Sequence, residues 1–131
     1  MVKGKITYPQ IKNNNGIRCD AKNVEAFYCL PNVTYTYAWS FGSYASLKEV
    51  YLPETITTIR YGAFSSATKL KTIYIPDSVV EIGRQAFYNT PALELDRLPS
   101  KLEKLGDRAF YNAGNGVTIS ELPDTIREIG A

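Results

Sequence analysis

Histidine is missing altogether from the 131 residues, which removes the Ser-His-Asp and Cys-His arrangements of nucleophilic catalysis and any zinc site built on imidazole. Cysteine is nearly as scarce. Cys19 and Cys29 have no second pair beside them, so they read as buried thiols or a disulfide ahead of anything catalytic. No glycine-rich loop able to cradle a phosphate is present, and no apolar run approaches the length of a membrane span. The opening MVKGKITYPQIKNNNG has no secretory h-region after its lysines, so as written the chain is cytoplasmic, unless a signal has been removed. An excess of one charge is lacking too. The 15 basic and 13 acidic residues leave a net +2, which gives no global pull toward nucleic acid or an anionic membrane. No like-charge tail or low-complexity linker interrupts the chain.

What is present is a repeat. Pro53, Pro76, Pro99 and Pro123 lie 23, 23 and 24 residues apart, each behind an apolar residue, Leu52, Ile75, Leu98 and Leu122. Three residues after each proline come Ile56, Val79, Leu102 and Ile126, and six after it Ile59, Ile82, Leu105 and Ile129. Ala63-Phe64, Ala86-Phe87 and Ala109-Phe110 follow at ten and eleven. Periods of this length indicate a solenoid, and the chain length fits one domain.

Each column has a physical role. In LKTIYIP, Leu70, Ile73 and Ile75 point inward while Thr72 and Tyr74 point outward, the alternation of a short strand buried on one side. Pro76 offers no N–H to a neighbouring strand and ends the ladder. Val79 and Ile82 return the chain across the opposite side, and Gly83 is expected to permit a bend. Ala86 allows close approach of coils and Phe87 plugs the space between them. One such unit buries too little to fold alone; stacking must supply the rest.

With these columns in view, residues 47 to 131 resemble the BspA-type, or TpLRR, class of leucine-rich repeats, whose consensus is similar to L-x-x-I-x-I-P-x-x-V-x-x-I-G-x-x-A-F-x-x-C. The chain departs from it in places. Ala67, Thr90 and Ala113 hold the small or Cys position, Arg60 stands where Gly83, Gly106 and Gly130 do, and Asp96 and Ser120 replace the middle strand residue. Leu95 and Ile119, one residue earlier, could restore the lost apolar contact by a local shift. The resemblance implies an α/β, β-rich, right-handed leucine-rich repeat solenoid with repeats of about 23 residues.

Residues 1 to 46 repeat less cleanly. KITYPQI reads as a strand and Asn13-Asn14-Asn15-Gly16 as a turn. GIRC, VEAFYCL and VTYTYAW give further strands. Phe41 precedes Leu47 by six residues, as Phe64 precedes Leu70. Residues 30 to 46 therefore read as a degenerate repeat, 1 to 29 as a β-rich cap, and 47 to 131 as repeats with the last incomplete. Terminal repeats need covers, and Phe27, Tyr28, Tyr35, Tyr37, Trp39, Phe41 and Tyr44 suit cap filling or, for a subset, a binding patch. Ala131 falls before the Ala-Phe plug that should follow Pro123. A shortened chain, end-to-end self-association through the incomplete coil, or a frayed terminus are the three readings.

Function is sought on the outward residues of the strand side, which stacking converts into ladders about 4.8 Å apart. One ladder runs Tyr51, Tyr74, Arg97, Glu121; the next runs Glu54, Asp77, Ser100, Asp124, with Glu49 and Thr72 beside them. Tyrosines next to carboxylates suit a partner bearing basic and apolar groups, or are simply a solvated face with cross-strand stacking. Glu54 and Asp77 at a one-coil separation would also fit a retaining glycosidase pair or, with Asp124, a line of calcium ligands, but no enclosing pocket is legible. Asn32-Val33-Thr34 is a glycosylation sequon. The expectation is a protein-interaction module with no enzymatic activity, cofactor or metal, of the bacterial surface or host-interaction kind that the resemblance implies. The alternatives are a small intracellular inhibitor encoded by a phage or pathogen, and a glycan-binding protein. Four short strands offer only about 300 Å² in projection against the roughly 800 Å² per partner of a stable interface. The rims or the aromatic region must join the contact, or the chain is part of a longer array.

Overall fold

The structure, a computed structural model, describes residues 10–13, 16–19, 25–29, 31–36, 38–114, 116–118 and 122–130, with side chains from residue 25 onward. Among the described residues the strands are, in order, β1 Gln10–Asn13, β2 Gly16–Cys19, β3 Ala26–Tyr28, β4 Tyr35–Thr36, β5 Glu49–Tyr51, β6 Thr58–Ile59, β7 Thr72–Tyr74, β8 Glu81–Ile82, β9 Lys104–Leu105 and β10 Glu128–Ile129. Each proline-to-proline unit forms one coil of a β-solenoid. Strands β3, β5 and β7 make a parallel sheet on the strand side, with Phe27 opposite Val50 and Val50 opposite Ile73. The inward side chains of these pairs are buried, as the alternation requires.

The return side carries the longer sheet, seven strands in the order β1-β2-β4-β6-β8-β9-β10. Only β1 and β2 pair antiparallel there; every later pair is parallel. The sequence treats this side as a mere crossing, because two-residue strands have no period of their own to read. From β6 onward an apolar residue holds each position of its ladder, Ile59, Ile82, Leu105 and Ile129, while in β4 the buried Thr36 takes it. On the strand side the ladder stops after β7. Asp96 takes the middle position and stands exposed, and among the described residues the next coils share an isolated bridge between Leu95 and Val117 in place of a ladder. Leu95 packs against the core from its shifted place, while Ile119 and Ser120 lie outside the described residues.

Turns complete the coils, and among the described residues no helix occurs. Two columns of positive φ bracket each phenylalanine. Trp39, Gly62, Gln85 and Arg108 lie two residues before it, and Ser43, Ser66, Asn89 and Asn112 two after. Asparagine tolerates this left-handed conformation because its short amide bonds locally, and here Asn112 Nδ2 also donates to Asn89 Oδ1 at 2.8 Å. Between the two columns the phenylalanines form a spine. Phe41, Phe64, Phe87 and Phe110 stack face to face with centroids 5.0, 5.3 and 5.2 Å apart and rings within 8° of parallel. Phe27 meets Phe41 edge-on at 4.7 Å.

Gly83 opens a turn, its carbonyl accepting from the Ala86 N–H at 3.2 Å, but positive φ is not why glycine is needed there. Its φ is not in the left-handed range, unlike those of Gly62 and Gly114. A Cβ at Gly83 would instead stand 2.7 Å from the Tyr61 amide nitrogen and 2.8 Å from the Arg60 carbonyl carbon of the preceding coil. The column needs glycine because backbones approach there, tied by bonds such as Gly83 N–H to the Ile59 carbonyl at 2.7 Å and Gly106 N–H to the Ile82 carbonyl at 2.8 Å. Arg60 occupies the same column by a different arrangement. Its N–H donates to the Thr36 hydroxyl at 3.0 Å, so a side chain stands in the contact and the coils share one paired position, Tyr35 with Thr58.

Candidate functional site

The strand face is built on β5 and β7, whose inward residues Val50 and Ile73 fix the outward ones. Tyr51 lies opposite Tyr74 in register, and Tyr28 of β3 lies opposite Tyr51. Tyr28 therefore heads the tyrosine column, with its ring edge-on to Tyr51 at 4.7 Å. The sequence carries the signal for it, since Tyr28 precedes Tyr51 by the same 23 residues. Each of the two later phenols is held by a carboxylate: Tyr51 OH donates to Glu49 Oε1 at 2.6 Å, and Tyr74 OH to Glu54 Oε1 at 2.5 Å. Tyr74 is 43% exposed, and the Glu54 bond pushes its pKa up, with slight desolvation adding to the effect.

Further along, Asp77 Oδ1 accepts from the Ser100 amide and from Arg97 Nη1, both at 2.9 Å. These two donors, the Ser100 amide first, hold the Asp77 carboxyl below the ordinary value of 3.8. A lowered carboxylate pKa contributes stability above the unfolded value, lost as pH falls through the folded one. The contribution is small at so exposed a site. A carboxyl NMR titration is accordingly expected to place the Asp77 midpoint below 3.8, and Arg97→Ala should raise it only partway, because the Ser100 amide remains. A midpoint at or above the ordinary value would contradict this geometry.

The expected site residues thus fall into two linked groups. Glu49, Tyr51, Glu54 and Tyr74 form the tyrosine–carboxylate group, with Thr72 exposed beside them. Asp77, Arg97 and Ser100 form an ion-paired group. Asp124 does not join that pair but lines an open cleft of about 430 Å³ with Asp96, Arg97, Leu98, Ser100, Leu122, Pro123 and Thr125. A second cleft of about 400 Å³, lined by Thr72, Ile73, Glu94, Leu95, Asp96 and Gly116, flanks Asp96 on its other side. The ladder lost at Asp96 thus leaves surface relief where a continuous sheet would be flat. Glu121 lies outside the described residues.

The arrangement leaves little for chemistry. Both donors on Asp77 and the phenol on Glu54 engage the carboxylates that a glycosidase pair or a calcium line would need. No group of three His, Cys, Asp or Glu able to hold a metal occurs among the described residues. Cys29 is partly buried against the core, and its N–H donates to the Tyr51 carbonyl at 3.0 Å; the Cys19 side chain lies outside the described ones.

Comparison with known proteins agrees with the geometry. A family model for the BspA type leucine rich repeat region matches residues 16–131 in six copies, an earlier start than the resemblance in sequence alone. No curated protein sequence matches the chain. Among solved structures, the leucine rich repeat protein TpLRR of T. pallidum is similar with a TM-score of 0.81 and 26% identity over 95% of this chain and 62% of that one. A leucine-rich repeat protein from Bacteroides ovatus is similar with a TM-score of 0.68 and 25% identity over 100% of this chain and 41% of its own length. The pneumococcal vaccine antigen PcpA shares the fold, with a TM-score of 0.63 and 24% identity over 87% of this chain and 29% of that one. The chain thus spans less than two thirds of each of these proteins.

Proposed function

The chain belongs to the BspA-type leucine-rich repeat family, a fold that commonly serves as a protein-interaction module and generally as a non-enzymatic scaffold, and from that premise we propose that it binds another protein through its strand face without chemistry of its own. The observation that carries this is the column Tyr28, Tyr51, Tyr74, in which Glu49 and Glu54 hold the last two phenols in place. Rigid tyrosines contribute contact area at small entropic loss, and the adjoining carboxylates favour a partner offering lysine or arginine among apolar groups. The clefts beside Asp96 give such a partner relief to fill. The T. pallidum and Bacteroides ovatus relatives are bacterial, and a bacterial surface or host-facing role suits a module of this kind.

The experiment is quantitative capture of extracellular host proteins on the immobilised chain, beside the variants Tyr51→Ala/Tyr74→Ala and, as a return-side control, Lys104→Ala. The retained partner should weaken by about tenfold or more with the tyrosine variant, the effect of losing a hot spot, and keep its affinity with the control. Equal retention by all three proteins would overturn the assignment of this face.

A further inference from the structure

A second surface lies on the return side, one coil edge away from the tyrosine–carboxylate face. Among the described side chains, Arg97 and Arg127 approach carboxylates, at 2.9 and 3.8 Å. Arg60 and Arg84 do not; they lie over rings instead. The Arg60 guanidinium carbon sits 3.8 Å from the centre of Tyr35, and that of Arg84 sits 5.8 Å from the centre of Tyr61. Tyr61 in turn meets Trp39 edge-on at 4.9 Å. Arg60, Tyr61 and Arg84 line an open cavity of about 700 Å³ with Thr58 and Glu81. The cavity thus has the Tyr61 ring and two guanidiniums in its wall, and the Trp39 ring, 46% exposed, lies beside it against Tyr61.

The way Trp39 is held adds a second observation. It occupies a left-handed turn position with φ 59°, a conformation unfavourable to a bulky side chain. In the next coil the equivalent residue is Gly62, and a Cβ there would stand 2.5 Å from the Trp39 ring. The indole is therefore seated over the one residue type that leaves it room, facing outward. The left-handed φ itself belongs to the turn column that Gln85 and Arg108 share; what is particular to this coil is that the column carries an exposed indole, seated over a glycine.

We propose that this cavity docks an acidic segment of a partner protein, an aspartate or glutamate taken by Arg60 and Arg84 with a neighbouring aromatic or leucine side chain against Trp39 and Tyr61. The charge balance selects this occupant. Two guanidiniums against the single Glu81 carboxylate leave one net positive charge, enough for a carboxylate held bidentately. Glu81 opposes a doubly charged phosphate, and the near-neutral chain provides no wider field to draw in a polyanion. Stacking on Tyr35 holds the Arg60 guanidinium before the ligand arrives, which lessens the entropy lost on binding.

Trp39 is the sole tryptophan of the chain, so its emission reports on the site directly. The probe is the peptide acetyl-Gly-Glu-Phe-Glu-Gly-amide, titrated against the intact protein beside its glutamine counterpart, inorganic phosphate and a thymidine octanucleotide. The acidic peptide should change Trp39 emission saturably, and both the glutamine peptide and Arg84→Gln should weaken binding by about tenfold or more, the loss of a charge-assisted pair. Tyr51→Ala/Tyr74→Ala should leave this titration unchanged, which separates the site from the strand face. The absence of a saturable change, equal binding of the glutamine peptide, or tighter Arg84-dependent binding of phosphate or the octanucleotide would overturn the proposal. The peptide pair needs no altered protein, so the test survives a poorly folding variant.

Discussion

Phe87→Ala is expected to destabilise the protein by about 3–5 kcal/mol, the range for removing a large buried ring. Phe87 is fully buried and stacks on Phe64 at 5.3 Å and Phe110 at 5.2 Å. Its loss therefore opens a cavity with an aromatic face on each side; Phe64 cannot close it without leaving Phe41, and Phe110 loses the ring it stacks on. In a solenoid each coil contacts only its neighbours, so the damage should be directional as well as large. The coils beyond Phe87, containing β9 and β10, lose their anchor to the longer half, and their amides should exchange with solvent faster than those of β5 and β7. Equilibrium denaturation together with residue-resolved hydrogen exchange measures both effects. A loss below about 1 kcal/mol, the typical size of an ordinary substitution, would show that the spine is not what joins the coils.

Gly106→Ala should lose about 3 kcal/mol, the upper end of the usual overpacking range. The added methyl would run into the Arg84 amide nitrogen and stand 2.6 Å from the Gly83 carbonyl carbon. These are backbone atoms, and the Gly106 N–H bond to Ile82 holds the two coils together at that point. Relief thus requires breaking a ladder bond. Glycine to alanine at an unstrained position stabilises by about 0.4–1 kcal/mol through the unfolded chain, so even the sign is diagnostic. Thermal or denaturant unfolding of the variant that shows a neutral or stabilising effect would contradict close approach as the reason for the glycine column.

The architecture was legible because each coil uses the same residues at the same interval. Leu70, Ile73, Ile75, Val79, Ile82 and Phe87 are all buried, as their columns predict, and Tyr51 and Tyr74 fall opposite one another as their spacing demands. What escaped reading lacked either period or context. The return-side sheet consists of two-residue strands, too short to alternate. Tyr28 lies a full repeat before Tyr51, but VEAFYCL has no proline in the expected place and so looks like capping sequence. Gly83 and Gly62 are the same residue type for different reasons, inter-coil space and positive φ with room for a ring, and only coordinates separate them. The Arg60, Tyr35, Trp39 and Tyr61 cluster joins residues from different columns across coils, which no single column reveals. Asp96 was visible as a departure, yet its consequence, an interrupted ladder with a cleft on either side, depends on how the next coil closes.

Photo-crosslinking from the strand face tests the binding assignment most directly. Benzoylphenylalanine placed at Tyr74, and separately at Lys104 of β9 on the return side, would be irradiated in the presence of the protein captured by the unaltered chain. A defined adduct from position 74, absent from position 104, is the predicted result. Adducts from position 104 alone, or equal yields from both, would contradict the claim that the Tyr28, Tyr51 and Tyr74 column is where this solenoid meets its partner.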